Sequence, residues 1–295
     1  MELAEIRPRR QLGKTQGDVS SIGIGTNRWK KGGNDAAVAE TYRALLDGGI
    51  DFVDTAEIYG FGKSERLIGD CLAGDKRPAF VASKFAPFLA RTSPKKLLAA
   101  LDASLARLGR KTIDLYYIHF PFPFANLDAL TDALVEAVKA GKARTVGVSN
   151  FGADQMRRAA DRLGRAGIPL AANEVHYSLL HRDAERNGVL DACRETGASL
   201  VAYFPLASGK LARGPDAAKP DRSDPLRRLL ADIGEQHQAS AAQVALAWLL
   251  ARDSSIIPIP GATKAAHIRA NIGALNVKLS DAEFARIDEA SRSRA

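Results

Sequence analysis

Short apolar runs alternate along the chain with longer segments whose apolar residues recur every three or four positions. The runs lie near 22–24, 51–53, 79–83, 114–118, 144–148, 170–174, 199–203 and 256–259. Their length and β-branched content predict strands. The segments between and after them, near 35–47, 64–73, 94–108, 127–140, 153–163, 186–196, 240–251 and 281–290, have helical spacing. Ahead of the rhythm, residues 8–20 read as two short pieces around a glycine turn, which predicts an N-terminal β-hairpin. One stretch breaks the pattern: 207–239 contains Gly209, Gly214, Pro215, Pro220 and Pro225 and reads as a long strand-to-helix connection.

Eight strands alternating with helices predict a parallel sheet with right-handed crossovers. Eight repeats over 295 residues favour a closed (β/α)8 TIM barrel of the α/β class over an open doubly wound sheet. No interdomain linker interrupts the rhythm, so residues 1–295 read as a single barrel domain. Gly23 and Gly25 supply two glycines of a dinucleotide fingerprint, but Arg28 stands at the third position and no helix start follows closely. A Rossmann site is therefore rejected there.

Composition changes this picture little. Hydrophobic residues at 46% and charged residues at 26% are ordinary for a folded globular chain, which argues against disorder or a fibrous fold. The net charge of +8 raises the question of a polyanionic partner. The basic residues are nevertheless spread out, with no run of five and no interleaved aromatics, so no nucleic-acid partner is expected. No stretch reaches the roughly 18 apolar residues that span a bilayer, so no membrane partner is expected either. Residues 1–10 lack the apolar segment of a secretory signal, and Cys71 and Cys193 stand too far apart to suggest a disulfide framework. A cytoplasmic location is the expectation.

The barrel reading brings candidate chemistry together. Phe52-Val53 ends in Asp54, with Tyr59 five residues later; Ala79 to Ser83 delivers Lys84; Leu115 to Ile118 delivers His119. Groups at the carboxyl ends of separate barrel strands converge on one face. A tyrosine of ordinary pKa, ~10, is a weak acid at neutral pH, but a nearby ammonium stabilises its phenolate and a carboxylate can hold that ammonium. An acid, a phenol, an ammonium and an imidazole together can protonate a carbonyl that is receiving hydride. Lys84 as a Schiff-base nucleophile is the competing chemistry. No metal site is expected, since the five histidines show no zinc spacing and no Cys-x-x-Cys pair occurs.

Within Asp54-Thr55-Ala56-x-x-Tyr59-Gly60, Ser83-Lys84 and Ile118-His119-x-Pro121, these four residues resemble the catalytic tetrad of the aldo-keto reductases. The resemblance runs from about Arg10 to Ala274. It implies NAD(P)H-dependent reduction of a small aldehyde or ketone, with Tyr59 as general acid and NADP(H) preferred over NAD(H). It also implies cofactor contacts. Ser149 and Asn150, with Glu174, would hold the nicotinamide carboxamide; Tyr203 would stack on its ring, with Leu206 close behind. Gly261, Thr263, Lys264, His267 and Asn271 would form the adenosine-phosphate site. Two positions depart from the common family pattern: Glu174 stands where many members have glutamine, and Phe204 where many have serine. Trp29, Phe85, Phe120 and Phe122 are the candidate substrate wall. The family also contains cofactor-binding potassium-channel β subunits, so a regulatory subunit with slow turnover is the alternative of another class. The chain leaves the oligomeric state and the substrate open.

Overall fold

The computed structural model describes residues 8–29, 35–211 and 224–292. Strands β1 (Arg9–Gln11) and β2 (Asp18–Ser20) pair antiparallel as the expected hairpin. Eight further strands form one sheet in chain order: β3 (Ile24–Gly25), β4 (Phe52–Asp54), β5 (Phe80–Phe85), β6 (Ile113–Ile118), β7 (Ala143–Ser149), β8 (Leu170–His176), β9 (Ser199–Tyr203) and β10 (Ile256–Ile259). All their pairings are parallel. The sheet closes on itself, because Gly23 N donates to Pro258 O at 3.0 Å and Gly25 bridges Gly261.

The strand sequences suit this closure. β6, Ile-Asp-Leu-Tyr-Tyr-Ile, is buried at every position, as a parallel strand covered on both faces must be. Phe52, Ala82, Leu115, Tyr117 and Ile257 meet inside the barrel, joined by Leu12 and Val19 from the hairpin. The hairpin therefore stoppers the amino-terminal end of the barrel. Gly13 donates its N–H to Ser199 Oγ at 2.8 Å, and Asp51 accepts from Ser20 N at 2.9 Å. Gly147 makes room for the Tyr117 ring, which a Cβ there would meet at 2.6 Å.

The helices are α1 (Asp35–Asp47), α2 (Lys63–Gly74), α3 (Pro94–Leu108), α4 (Leu127–Lys139), α5 (Ala153–Gly164), α6 (Asp183–Arg186), α7 (Val189–Thr196), α8 (Pro225–Gln236), α9 (Ala241–Arg252), α10 (Ala265–Ile272) and α11 (Asp281–Arg292). Local chemistry sets their ends. Pro94 opens α3 and left-handed Gly109 closes it, while Ser240 and Gln243 form a reciprocal capping box on α9. Among the described residues, no helix is long and apolar enough to cross a membrane.

Two expectations about the chain need correction. The stretch 207–239 is not one long loop: Pro225–Gln236 forms α8, capped by Asp224 and packed on α9 and α11, while 212–223 lie outside the described residues. Burial of Leu226, Leu230 and Ile233 at helical spacing drives that helix. The barrel's eighth helix is also not the segment near 281–290. It is α10, directly after β10, and α11 is an addition beyond the repeat.

Candidate active site

Strand ends bring the four candidate groups to the carboxyl end of the barrel. Asp54 closes β4, Lys84 is the fifth residue of β5, and His119 follows β6 directly. Tyr59 sits in the turn into α2, where its N–H donates to Ala56 O and its carbonyl accepts from Ser64 N. That turn passes through Gly60, Phe61 and Gly62, all with positive φ; Phe61 adopts φ 53° although it is bulky and 95% exposed. Thr26 fastens the strand end, donating to Asp54 O through both its N–H and its hydroxyl.

Lys84 is fully buried and is held by three groups. Its ammonium donates to Asp54 Oδ2 at 2.5 Å and to Thr55 O at 2.9 Å, and Glu174 Oε2 stands 3.3 Å away. It also lies 5.3 Å from the centre of the Tyr59 ring and 5.7 Å from that of Tyr117. Burial works against the ammonium, but the Asp54 and Glu174 charges outweigh it and hold the lysine above its usual range. Burial lifts the Glu174 carboxyl well above the carboxylate range; the neighbouring Asp54 charge adds to this. Burial also raises the Tyr59 phenol, with Lys84 pulling the other way, so the group is a neutral acid at neutral pH.

His119 packs edge-on to Tyr59 at 5.9 Å between ring centres. Burial lowers its pKa from 6.5 to about 3, and the Lys84 charge adds to the drop. The imidazole is therefore neutral across the physiological range and carries one N–H to donate. An unfolded chain would protonate this histidine near pH 6.5 while the folded one resists, so the stability this group contributes falls as pH drops below 6.5. We expect a loss of about 2 kcal/mol from this group between pH 8 and pH 5. Denaturant melts of wild type and His119→Gln across that range check it: the stability difference between the two should change by about that amount.

A second group of expected residues is also assembled. Ser149 ends β7 and donates its hydroxyl to Glu174 O at 2.9 Å. Asn150, left-handed at φ 59° and exposed, donates to His119 O at 3.0 Å and accepts from the Tyr203 hydroxyl at 2.9 Å. The Tyr203 ring stacks on His176, which stacks in turn on His181 with 3.9 Å between centres. Leu206 is half-buried beyond β9. Gly261, Thr263, Lys264 and His267 are exposed around the amino terminus of α10, and Asn271 is buried on that helix.

The structure departs from the expectations at three places. Glu174, read as an amide contact, turns its carboxyl into the Lys84–Asp54 pair. Trp29 is core rather than pocket wall: it is 2% exposed, and its indole N–H donates to Ala262 O at 2.7 Å. Phe85 is likewise buried, beneath the Arg91 guanidinium, whereas Phe120 and Phe122 remain half-buried, Phe120 against His119 and Phe122 against Phe124. The sequence reading also missed Glu57, which accepts from Ala86 N and grips Arg91, tying the loops after β4 and β5 together. Its place three residues after Asp54 was the available signal. The stack behind Tyr203 had none, because His176 and His181 meet only in three dimensions.

Comparison with known proteins places the chain as a whole. The model of the Aldo/keto reductase family matches residues 21–292. The NADP(+) aldo-keto reductase yakc of Schizosaccharomyces pombe is 35% identical over 83% of this chain and 79% of its own. Methylglyoxal reductase YeaE of Escherichia coli is 34% identical over 93% and 92%. Among solved structures, an aldo/keto reductase of Klebsiella pneumoniae in complex with NADP and acetate superposes with a TM-score of 0.82 at 28% identity, covering 95% of this chain and 94% of its own.

Proposed function

Because the chain belongs to the aldo/keto reductase family, and so is an NAD(P)-dependent oxidoreductase, we propose that it reduces an aldehyde or ketone to the alcohol with Tyr59 as general acid. In this reading residues 1–295 act as one barrel domain in the cytoplasm. The observation that carries it is the buried Lys84 ammonium, fixed by Asp54 and Thr55 beside the Tyr59 ring, with neutral His119 across from it.

Each group has a task that its surroundings suit. The neutral His119 N–H donates to the substrate carbonyl oxygen and orients it. Tyr59 passes its proton to that oxygen as negative charge builds there. Lys84 spends two of its three N–H donors on Asp54 and Thr55, leaving the third to stabilise the phenolate. Asp54 holds the ammonium in place. The upward shift of Lys84 counts against a Schiff-base role, which needs a neutral amine. Phe120, beside His119, and Phe122 provide apolar surface for the substrate.

The residues present suit a nicotinamide dinucleotide, which when bound supplies the hydride. Ser149 and Asn150 offer polar groups, and His176 backs one face of the Tyr203 ring so that its other face can stack. Leu206, Gly261, Thr263, Lys264, His267 and Asn271 would hold the adenosine phosphate end. A Cβ on Gly261 would meet only Gly25 O at 3.6 Å, so nothing inside the protein demands glycine there. The amino terminus of α10, with exposed Lys264 as its cap, favours an extra phosphate and thus NADPH over NADH.

Titration with each cofactor, followed by quenching of intrinsic fluorescence, tests the site. Trp29 still reports, since it bonds Ala262 next to the phosphate segment. NADPH is expected to bind more tightly than NADH. Lys264→Ala should weaken NADPH roughly tenfold, the worth of one charge-assisted hydrogen bond, and leave NADH unchanged. Failure to bind either cofactor would remove the reductase reading.

A further inference from the structure

Lys84 is one cation facing two carboxyl groups. Asp54 and Glu174 approach it at 2.5 and 3.3 Å, and all three side chains are at most 3% exposed. Were both carboxyls ionised, the dry cluster would hold a surplus negative charge. Two of its oxygens are also orphaned: neither Asp54 Oδ1 nor Glu174 Oε2 has a hydrogen-bond partner among the described residues. Both carboxyls approach the same Lys84 ammonium, which brings them together around one point. One proton between them removes the surplus charge and supplies the missing hydrogen bond.

We propose that Glu174 is a positioning residue that carries this proton at neutral pH, donating to Asp54 and keeping the Asp54–Lys84–Glu174 cluster beside Tyr59 electrically neutral. This rests on the reading of Tyr59 as the acid. Burial pushes the Glu174 carboxyl in the same direction, above the carboxylate range. The groups facing it from neighbouring elements leave the proton in place. Asp54 comes from β4, Tyr59 from the turn after it, Lys84 from β5, Tyr117 from β6 and Tyr203 from β9. Burial keeps Tyr117 a neutral phenol, and His119, after β6, is uncharged above about 3. Lys84 and Asp54 thus supply the ionised pair. When alkaline pH removes the Glu174 proton, the added negative charge opposes ionisation of Tyr59. The proton reserve thereby links the pH of the medium to the strength of the catalytic acid.

Two readouts on the full chain test this without requiring turnover. Infrared difference spectra of wild type against Glu174→Gln at pH 7 should show the carbonyl stretch of a protonated carboxyl in wild type and its loss in the variant. Asp54→Asn, which leaves Glu174 as the sole counter-ion of Lys84, should lose the band equally and serves if Glu174→Gln does not fold. Absence of the band from wild type would overturn the proposal. Alkaline titration of tyrosinate absorbance, with Tyr59→Phe in each background to isolate Tyr59, should place its midpoint about one unit lower in Glu174→Gln than in wild type. Equal midpoints would overturn the link to Tyr59. An inactive wild type that still shows the band would sink the catalytic reading and leave the shared proton standing.

Discussion

Replacing Tyr59 by phenylalanine is expected to lower kcat/KM for carbonyl reduction about a thousandfold or more while leaving fold and NADPH binding intact. The substitution removes one oxygen and keeps the ring, so its edge contact with His119 at 5.9 Å and its place over Lys84 at 5.3 Å persist. What disappears is the proton donor. General acid catalysis by a positioned side chain is worth roughly 10²- to 10⁴-fold, and none of its neighbours can take over. His119 is a neutral imidazole whose proton is weakly acidic, and Lys84 is held above its usual range. Steady-state oxidation of NADPH with a panel of aldehydes and ketones, alongside cofactor titration, separates lost chemistry from lost binding. A folded, cofactor-binding variant with full activity would remove Tyr59 from the mechanism.

Lys84→Met should cost both activity and stability, and the stability loss is the more diagnostic. Removing one partner of a buried ion pair typically costs about 3–5 kcal/mol, because the remaining charge is stranded. Here the stranded charge is that of Asp54, beside a Glu174 carboxyl that already carries a proton. Without the ammonium, Asp54 and Glu174 must hold protons in the folded state at pH values where the unfolded chain has released them. Their folded pKa values then lie above the unfolded ones, so stability drops as pH rises from about 4 through the neutral range. This is opposite to the His119 trend, in which stability drops as pH falls below 6.5. Denaturant melts at pH 5 and pH 8 distinguish the two. Lys84→Met combined with Asp54→Asn should recover much of the stability and none of the activity. A Lys84→Met protein as stable as wild type at pH 8 would contradict the buried-charge account.

The barrel and the four convergent groups were legible because strand ends are one-dimensional signals. Each apolar run stops at a residue that pure burial would not choose, as at Asp54, Lys84 and His119, and the barrel carries such residues to one face. Glu174 was visible as an unusual residue in an apolar strand, but its contact was not. Lys84 lies on β5 and Glu174 on β8, with two strands between them in the sheet, and no spacing along the chain encodes a contact across a barrel. Trp29 was misplaced for a similar reason: only the fold brings Ala262 O to its indole. Helix α8 is different, because Asp224, Pro225 and the Leu226, Leu230, Ile233 spacing were all present. The glycines and prolines around them outweighed that signal.

The reductase account is tested most directly by following deuterium from NADPH labelled at nicotinamide C4 into the product of wild-type turnover, read by mass spectrometry. The account predicts one deuterium on the carbinol carbon of the alcohol, lost when Tyr59→Phe replaces the wild type. An alcohol formed without deuterium, or no alcohol from any carbonyl compound despite tight NADPH binding, would contradict it.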